Sequence, residues 1–357
     1  MHSEPVLTLG LAAVAGVTLM SLGSRLGVPS IALLLLGGVG LGPSGLGWVD
    51  PEGLGHGLEQ VIKMAVAVIL FEGGLTLDIS GYKKAPVVIG RMLTIGVLIT
   101  WLGAAAALYA FAGLSPAVSL LGGSLVIVTG PTVVSPLLRR LNVRDRLFHV
   151  LYWEGVLIDA VGVFAAILCF EWATATAGYL WPVADFALRL GLGIGAGGLA
   201  GLFLDKLLRS TFIHDEMVNI FVLSFAIFLF GICDAILVES GILAVIVAGL
   251  VLGFRKPPRL RSVKRFKLEL TELAIGLLFI LLSARLDLQR FIEFGDVLLI
   301  LLAIVMFGLR PINILVSTWG QPFDWREKAF MSWLAPRGIV AASMASLVTL
   351  RLTELGI

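Results

Sequence analysis

Long apolar runs separated by short polar breaks dominate this chain. A helix needs about 20 apolar residues to cross the hydrocarbon of a bilayer, so each run of that length predicts one membrane-spanning helix. The runs lie at residues 6–24, 28–47, 58–77, 86–112, 115–138, 147–172, 181–204, 217–236, 238–254, 268–284, 294–317 and 329–352. The pattern therefore predicts an all-α polytopic membrane protein with twelve spans.

Composition supports the same interpretation. Hydrophobic residues make up 58% of the chain and charged residues 14%, and the mean hydropathy is +1.01. Soluble domains carry about a quarter charged residues, so a soluble enzyme is excluded. The first span lacks the basic lead-in of a cleaved signal peptide. A net charge of +2 gives no sign of a nucleic-acid partner.

Cysteine and histidine give no sign of a resident metal or other cofactor. Cys169 and Cys233 both lie inside apolar runs, where packing is a better explanation than a disulfide or a metal site. The four histidines show no metal-ligand spacing. We expect no cofactor.

Loop charges predict the orientation. The connections after the odd-numbered spans contain eighteen lysines and arginines, whereas those after the even-numbered spans contain only Arg285 and Arg290. Positive loops stay in the cytoplasm. The N-terminus is therefore predicted outside. The loop with the most lysines and arginines, residues 255–267, is best interpreted as an anchor that fixes the topology. A binding site for a lipid or a regulator is the alternative.

Two predicted spans are interrupted near the middle of the membrane. Span 5 contains Thr129-Gly130-Pro131, and span 12 contains Pro336-Arg337-Gly338. Proline removes an amide donor and clashes with the preceding turn. Broken backbone at membrane depth is tolerated where it lines a cavity or binds an ion. Two breaks in corresponding positions indicate the binding site of an inverted-repeat transporter, although two structural kinks would give the same pattern.

Acids inside the spans supply candidate chemistry. Asp159 falls in the middle of span 6, and Glu154 lies about one and a half turns earlier. An acid at the bilayer centre costs roughly 2.5–3.5 kcal/mol, so it has either a partner or a function. Arg310 and Arg337 are the available buried cations. We expect Glu154 to form a structural ion pair and Asp159 to stay exchangeable, with Glu72 in span 3 as a further candidate.

These groups suit a small cation. Alkali ions prefer oxygen ligands, which Asp159, the Thr129 carbonyl and Glu72 would supply. A carboxylate removed from water also favours a proton. Proton and cation would then compete for one group, and competition combined with an inward/outward switch yields antiport.

Several motifs resemble a known family. Phe71-Glu-Gly-Gly-Leu, Thr129-Gly-Pro, Glu154-x-x-x-x-Asp159, Glu239-Ser-Gly-Ile-Leu-Ala-Val and Ala335-Pro-Arg-Gly-Ile-Val-Ala-Ala occur in order between about residues 58 and 350. This set resembles the cation–proton antiporter superfamily, in particular the NhaP-type sodium/proton antiporters and exchangers.

The resemblance implies a thirteen-helix fold with inverted repeats and two crossed, interrupted helices. Within one transporter unit, 1–357, it implies an ion-carrying core in 58–172 and 268–357. It also implies dimerisation or scaffold helices in 1–50 and 181–254, a homodimer in lipid, and a bacterial-type inner membrane. A thirteenth helix and a cytoplasmic regulatory domain are expected beyond Ile357.

The resemblance also assigns roles. Asp159 matches the transport aspartate, and Thr129 matches the residue whose backbone meets the ion. Glu154 matches the acid paired with an arginine of a later helix, for which Arg310 is the counterpart. Arg337 matches the arginine of the second broken helix, and Glu72 an additional ion-contacting acid. The breaks in the two interrupted helices match the positions of Gly130, Pro131, Pro336 and Gly338.

Departures from the family sharpen the prediction. The family usually has Thr-Asp-Pro where this chain has Thr129-Gly130-Pro131, and Asn-Asp where this chain has Ile158-Asp159. It often has Ser at the position of Gly155. One exchangeable acid then remains at the crossing, and Arg337 loses its expected partner. We therefore predict electroneutral one-for-one exchange of H⁺ against Na⁺ or K⁺, with Li⁺ a further candidate, serving pH homeostasis.

Two other classes of membrane protein remain as alternatives. A sodium-coupled symporter of an organic anion shares crossed broken helices, and Arg337 at the second break is its only support. A channel or a non-transporting sensor is the third possibility.

Overall fold

The structure is a computed structural model of the chain. It describes residues 4–77, 79–130, 138, 141, 143–174, 180–210, 212–258, 260–286, 288–334, 344, 345 and 348.

Helices overlap each of the twelve predicted spans within the described residues, although α5 and α12 cover only part of theirs. They are α1 (Pro5–Leu26), α2 (Ser30–Leu41), α3 (His56–Thr76), α4 (Pro86–Ala112), α5 (Pro116–Ile127), α6 (Asp145–Thr174), α7 (Leu180–Arg209), α8 (Val218–Ile236), α9 (Ser240–Arg255), α10 (Leu260–Ala284), α11 (Gly295–Ser317) and α12 (Trp325–Trp333).

Length and composition qualify α1, α4, α6, α8, α11 and residues 187–209 of α7 as membrane-crossing helices within the described chain. The helices α2, α5 and α9 are apolar but shorter. The helices α3 and α10 have 21 and 25 residues and carry several charges. Short helices at Ile79–Tyr82 and Leu288–Glu293 lie in the connections.

Two helices contain a wider π-helical turn. It covers Met92–Gly96 in α4 and Ile304–Leu309 in α11. In α11 the turn ends at Leu309, two residues before Pro311. Pro311 has no amide hydrogen to donate to the Phe307 carbonyl four residues back. The Arg310 amide bonds to the Val305 carbonyl, five residues earlier. The extra residue lets the helix continue past the proline.

The chain divides into two compact units, of which unit 1 comprises 1–77 and 188–288 and unit 2 comprises 78–187 and 289–357. In unit 1, glycines allow helix backbones to approach closely. A Cβ at Gly74 of α3 would lie 2.4 Å from the Ile246 carbonyl oxygen of α9, and one at Gly16 of α1 would lie 2.7 Å from Gly276 of α10. Without water to drive association, such close contact of small residues holds membrane helices together.

Unit 2 is built from α4, α5, α6, α11 and α12. A Cβ at Gly123 of α5 would lie 2.6 Å from the Trp101 carbonyl oxygen of α4, so these helices are also in close contact. The Trp101 indole donates to the Leu120 carbonyl of α5 at 2.9 Å. Residues Val97, Ile127, Ile158 and Ala165 join α4, α5 and α6 in one apolar cluster.

The packing units follow different boundaries from the predicted functional domains. Residues 58–77 and 268–288 pack in unit 1, whereas 78–172 and 289–357 belong to unit 2. The division into an ion-carrying core and a scaffold remains a prediction.

Candidate functional site

The first predicted interruption lies at the end of α5. Ser115 caps the start of this helix by accepting a hydrogen bond from the Val118 amide, and Pro116 occupies its first turn. The helix ends at Ile127, and Val128 has extended backbone angles (φ −63°, ψ 122°). Proline at position 131 cannot donate an amide hydrogen to the Ile127 carbonyl, which accounts for a helix end at this place. Pro131 itself lies outside the described residues.

The end of α5 packs against the part of α6 that contains Asp159. A Cβ at Gly162 would lie 2.2 Å from Cγ2 of Val128, so glycine at that position makes room for the extended segment. Gly162 and Asp159 are three residues apart and therefore share one face of α6. Ile158, next to Asp159, contacts the Ile127 cluster.

Both polar side chains at this place, Asp159 and Thr129, are buried and lack hydrogen bonds to the described residues. Asp159 is 1% exposed and Thr129 is 4% exposed. Neither Oδ1 of Asp159 nor Oγ1 of Thr129 has a hydrogen-bond partner in the structure as described. A buried unpaired carboxylate is expensive unless a proton or a cation neutralises it. The arrangement therefore offers oxygen atoms that none of the described protein groups binds.

Glu154 has the opposite surroundings. It is 2% exposed and lies one and a half turns before Asp159 on the same helix. Arg310 of α11, 5% exposed, donates Nη1 to Oε1 of Glu154 and Nη2 to Oε2 at 2.9 Å. This two-pronged geometry is the strongest form of an arginine–carboxylate pair. The structure thus brings Glu154 and Arg310 together and compensates both charges.

Arg310 also binds the end of α12, which the sequence did not predict. Its Nε donates to the Met331 carbonyl at 3.2 Å and its Nη2 to the Leu334 carbonyl at 3.3 Å. Those carbonyls lie at the C-terminal end of α12, where helical bonding stops and the helix dipole favours a cation. One guanidinium therefore fastens α6, α11 and the end of α12 together.

The second predicted interruption follows directly. The helix α12 begins with a capping box of Asp324 and Glu327, and it ends at Trp333. Leu334 has φ −89° and ψ 90°, which is not helical. The predicted break residues Pro336, Arg337 and Gly338 lie outside the described residues.

A buried amide joins the two helices that carry π-turns. Asn313 of α11 donates Nδ2 to the Gly96 carbonyl at 3.1 Å and to Thr100 Oγ1 of α4 at 3.2 Å. Ser317 donates to its Oδ1 at 3.1 Å. A Cβ at Gly96 would lie 2.3 Å from Asn313 Oδ1, so the contact requires glycine. Sequence reasoning missed this contact; Pro311 inside an apolar run was the available signal.

Glu72 belongs to unit 1 and is half-buried. Its carbonyl accepts a hydrogen bond from Thr76 Oγ1 at 3.0 Å. The α9 backbone approaches α3 closely at Gly74, two residues after Glu72. Gly74 therefore serves helix packing. A ligand role for Glu72 remains a prediction.

The described residues show no site for a resident metal ion. They contain no group of three or more His, Cys, Asp or Glu placed to hold a metal ion. Cys169 and Cys233 are buried free thiols.

Comparison with known proteins identifies the family. The profile described as sodium/hydrogen exchanger, transmembrane, matches residues 10–354. The chain belongs to this family. The motif resemblance found in the sequence is therefore confirmed.

Individual relatives are named as antiporters. The Na⁺/H⁺ antiporter ApNhaP of Aphanothece halophytica is 26% identical over 334 residues, which cover 89% of this chain and 62% of that protein. The probable Na⁺/H⁺ antiporter 2 of Methanocaldococcus jannaschii is 24% identical, with 93% and 82% covered. The K⁺/H⁺ antiporter NhaP2 of Shewanella baltica is 27% identical, with 92% and 58% covered. The chain thus spans about three fifths of the length of two of these relatives.

A solved structure shows the same fold. The sodium proton antiporter MjNhaP1 from Methanocaldococcus jannaschii at pH 8 superimposes with a TM-score of 0.86 at 24% identity, covering 99% of this chain and 89% of that one. The predicted all-α, multi-pass antiporter fold is thereby confirmed. The chain is an integral membrane protein of an antiporter family.

Proposed function

We propose that this protein exchanges a monovalent cation for protons across the membrane and that both bind in turn to the carboxylate of Asp159. The observation that carries the proposal is the buried Oδ1 of Asp159, which has no hydrogen-bond partner in the described part of the chain and lies beside the unwound end of α5. A carboxylate there requires a neutralising partner, and a proton or a cation meets that requirement equally. Thr129, through its carbonyl, and Glu72 are the proposed additional ligands.

One-for-one, electroneutral exchange is the stoichiometry that these surroundings support. Of the two buried acids of α6, Glu154 is already compensated by Arg310. Ile158, beside Asp159, is apolar and packs in a cluster with Ile127. A single exchangeable carboxylate then alternates between one proton and one cation.

The choice of cation and the placement in the cell belong to the same proposal. Relatives are named for Na⁺/H⁺ or K⁺/H⁺ exchange, so both ions are candidates, with Li⁺ as a further one. The loop charges favour an outside N-terminus in a bacterial-type inner membrane. We also propose that the protein forms a homodimer and serves pH homeostasis.

Cation-driven proton flux in proteoliposomes tests the proposal. We expect addition of Na⁺ or K⁺ to release protons from vesicles containing the native chain. The Asp159→Asn variant should fall to the flux of empty vesicles, because an amide neither binds a proton here nor carries a charge.

Asp205→Asn is a matched control. Asp205 is also a buried acid of a long apolar helix, but it accepts a hydrogen bond from Arg209 Nε at 3.0 Å. Its variant should exchange ions at close to the native rate. Exchange that persists in Asp159→Asn would overturn the proposal.

The stoichiometry has its own test. Net flux through a one-for-one exchanger stops when the concentration ratios of protons and of cations across the membrane are equal, whatever the membrane potential. A reversal point that moves with an imposed potential would show that exchange is not one-for-one.

A further inference from the structure

An apolar groove lies between α11 and α12 in unit 2. Its volume is about 370 Å³. Its walls include Phe307, Leu315, Trp325, Lys328, Ala329 and Trp333. The large apolar members are open to the surroundings, with Phe307 67% and Trp333 65% exposed. In a membrane protein, such walls face the acyl chains of lipids.

Lys328 is the charged member of this lining, and its surroundings leave its charge uncompensated. Its side chain is half-buried, and no carboxylate pairs with it among the residues described. The acids next to it are already engaged. Glu327 accepts from Arg144 Nη1 at 3.0 Å and from the Asp324 amide at 2.9 Å. Asp324 accepts from the Trp325 amide at 2.6 Å.

Further cations gather at the same end of unit 2. Arg91 donates to the Trp319 carbonyl at 2.6 Å, and Arg146 donates to the Pro322 carbonyl at 2.9 Å. The guanidinium of Arg326, an exposed residue, lies 5.6 Å from the Trp325 ring centroid. Several arginines therefore lie around the connection before α12, and the groove opens beside it.

We propose that this groove binds an anionic phospholipid, with an acyl chain along Phe307 and Trp333 and the phosphate at Lys328. The apolar walls match a hydrocarbon chain, and the uncompensated ammonium matches a negatively charged headgroup. Basic groups next to membrane-spanning helices attract anionic lipids in this way. A second copy of the chain fits less well, because an apolar protein face would remove the water from Lys328 without supplying an anion.

Native mass spectrometry of the delipidated full chain tests the proposal. The purified protein in detergent is titrated separately with phosphatidylglycerol and phosphatidylcholine, and bound lipids are counted. We expect tighter binding of phosphatidylglycerol. Lys328→Gln should weaken phosphatidylglycerol binding about fivefold, which corresponds to the attraction of one basic residue near an anionic surface. Its phosphatidylcholine binding should not change, whereas Lys328→Arg should keep the native preference.

Two further variants locate the effect. Lys206→Gln removes an exposed lysine at the end of α7 in unit 1, and it should keep the native lipid preference. Ala329→Trp fills the groove at an exposed position without changing charge, and it should remove the tightly bound lipid of either headgroup.

Three outcomes would overturn the proposal. Equal binding of the two lipids by the native chain excludes recognition of an anion. An unchanged preference in Lys328→Gln moves the site elsewhere. A change from dimer to monomer in Ala329→Trp, with the lipid count unchanged, would assign the groove to a contact between two copies of the chain.

Discussion

The two buried carboxylates of α6 have the same depth but opposite surroundings. Glu154 and Asp159 are 2% and 1% exposed, and both lie in the apolar interior of unit 2. Glu154 receives two hydrogen bonds from Arg310, whereas Oδ1 of Asp159 receives none from the described residues. Burial alone therefore does not distinguish the two acids, whereas compensation of the charge by the described residues does.

The difference extends to the helices around each acid. Arg310 binds Glu154 and also the Met331 and Leu334 carbonyls, so the Glu154 end of the site is fixed through three helices. Around Asp159, α5 has already unwound, and Thr129 Oγ1 lacks a partner in the described chain. In the proposed function, the Glu154–Arg310 pair would hold the backbone while the ligand of Asp159 changes.

Removal of Arg310 should have the largest effect on stability. Arg310→Met leaves Glu154 buried without a partner and leaves the end of α12 without its cation. Breaking a buried pair from one side costs about 3–5 kcal/mol. We expect the free energy of unfolding to fall by that amount, measured by denaturant titration in detergent.

The double variant Glu154→Gln with Arg310→Met removes both charges and serves as the control. Its stability should recover most of the loss, because no uncompensated charge remains. Native stability in Arg310→Met alone would show that the pair has no structural role.

An intermediate effect is expected at the contact between α5 and α6. Gly162→Ala places a methyl group 2.2 Å from Val128 Cγ2, so the Val128 side chain, or the extended segment that carries it, must shift. Overpacking of this kind costs about 1–3 kcal/mol. We also expect slower cation exchange, because the shift displaces the proposed ligands, and vesicle flux measures that effect.

Gly198→Ala is the matched control, since a Cβ at Gly198 of α7 meets nothing within 4 Å. It should stabilise its helix by up to about 1 kcal/mol and leave exchange unchanged. An equal response of the two glycine variants would remove the special role of the Gly162 contact.

The smallest stability effect is expected at Asp159. Asp159→Asn exchanges an acid that no described residue compensates for a neutral side chain of the same shape. The free energy of unfolding should therefore fall by less than about 1 kcal/mol, or rise, even though transport is lost. A loss as large as that of Arg310→Met, measured under the same conditions, would show that Asp159 is also structural.

The sequence predicted the elements well because their signals are local. The apolar run 86–112 has the same limits as α4, and the run 217–236 differs from α8 by one residue. The break near Thr129 followed from the chemistry of Pro131 alone. The Glu154 and Arg310 positions required the family resemblance, because the residues by themselves left Arg310 and Arg337 open as partners.

Other features depend on contacts that no local pattern encodes. Arg310 reaches the α12 carbonyls only because α11 and α12 pack side by side. Asn313 bonds to Gly96 across more than two hundred residues of sequence. The assignment of Glu72 to unit 1 likewise depends on the packing of α3 against α9. Long-range packing, not residue type, decides these features.

Proton release from the purified protein provides the decisive measurement. Na⁺ or K⁺ is added to the detergent-solubilised chain in a weakly buffered solution, and the released protons are counted. If cation and proton share one carboxylate, the native chain should release about one proton for each cation bound, since binding displaces the proton from its ligand. Asp159→Asn should release none. No release from the native chain, or equal release from the variant, would contradict the account.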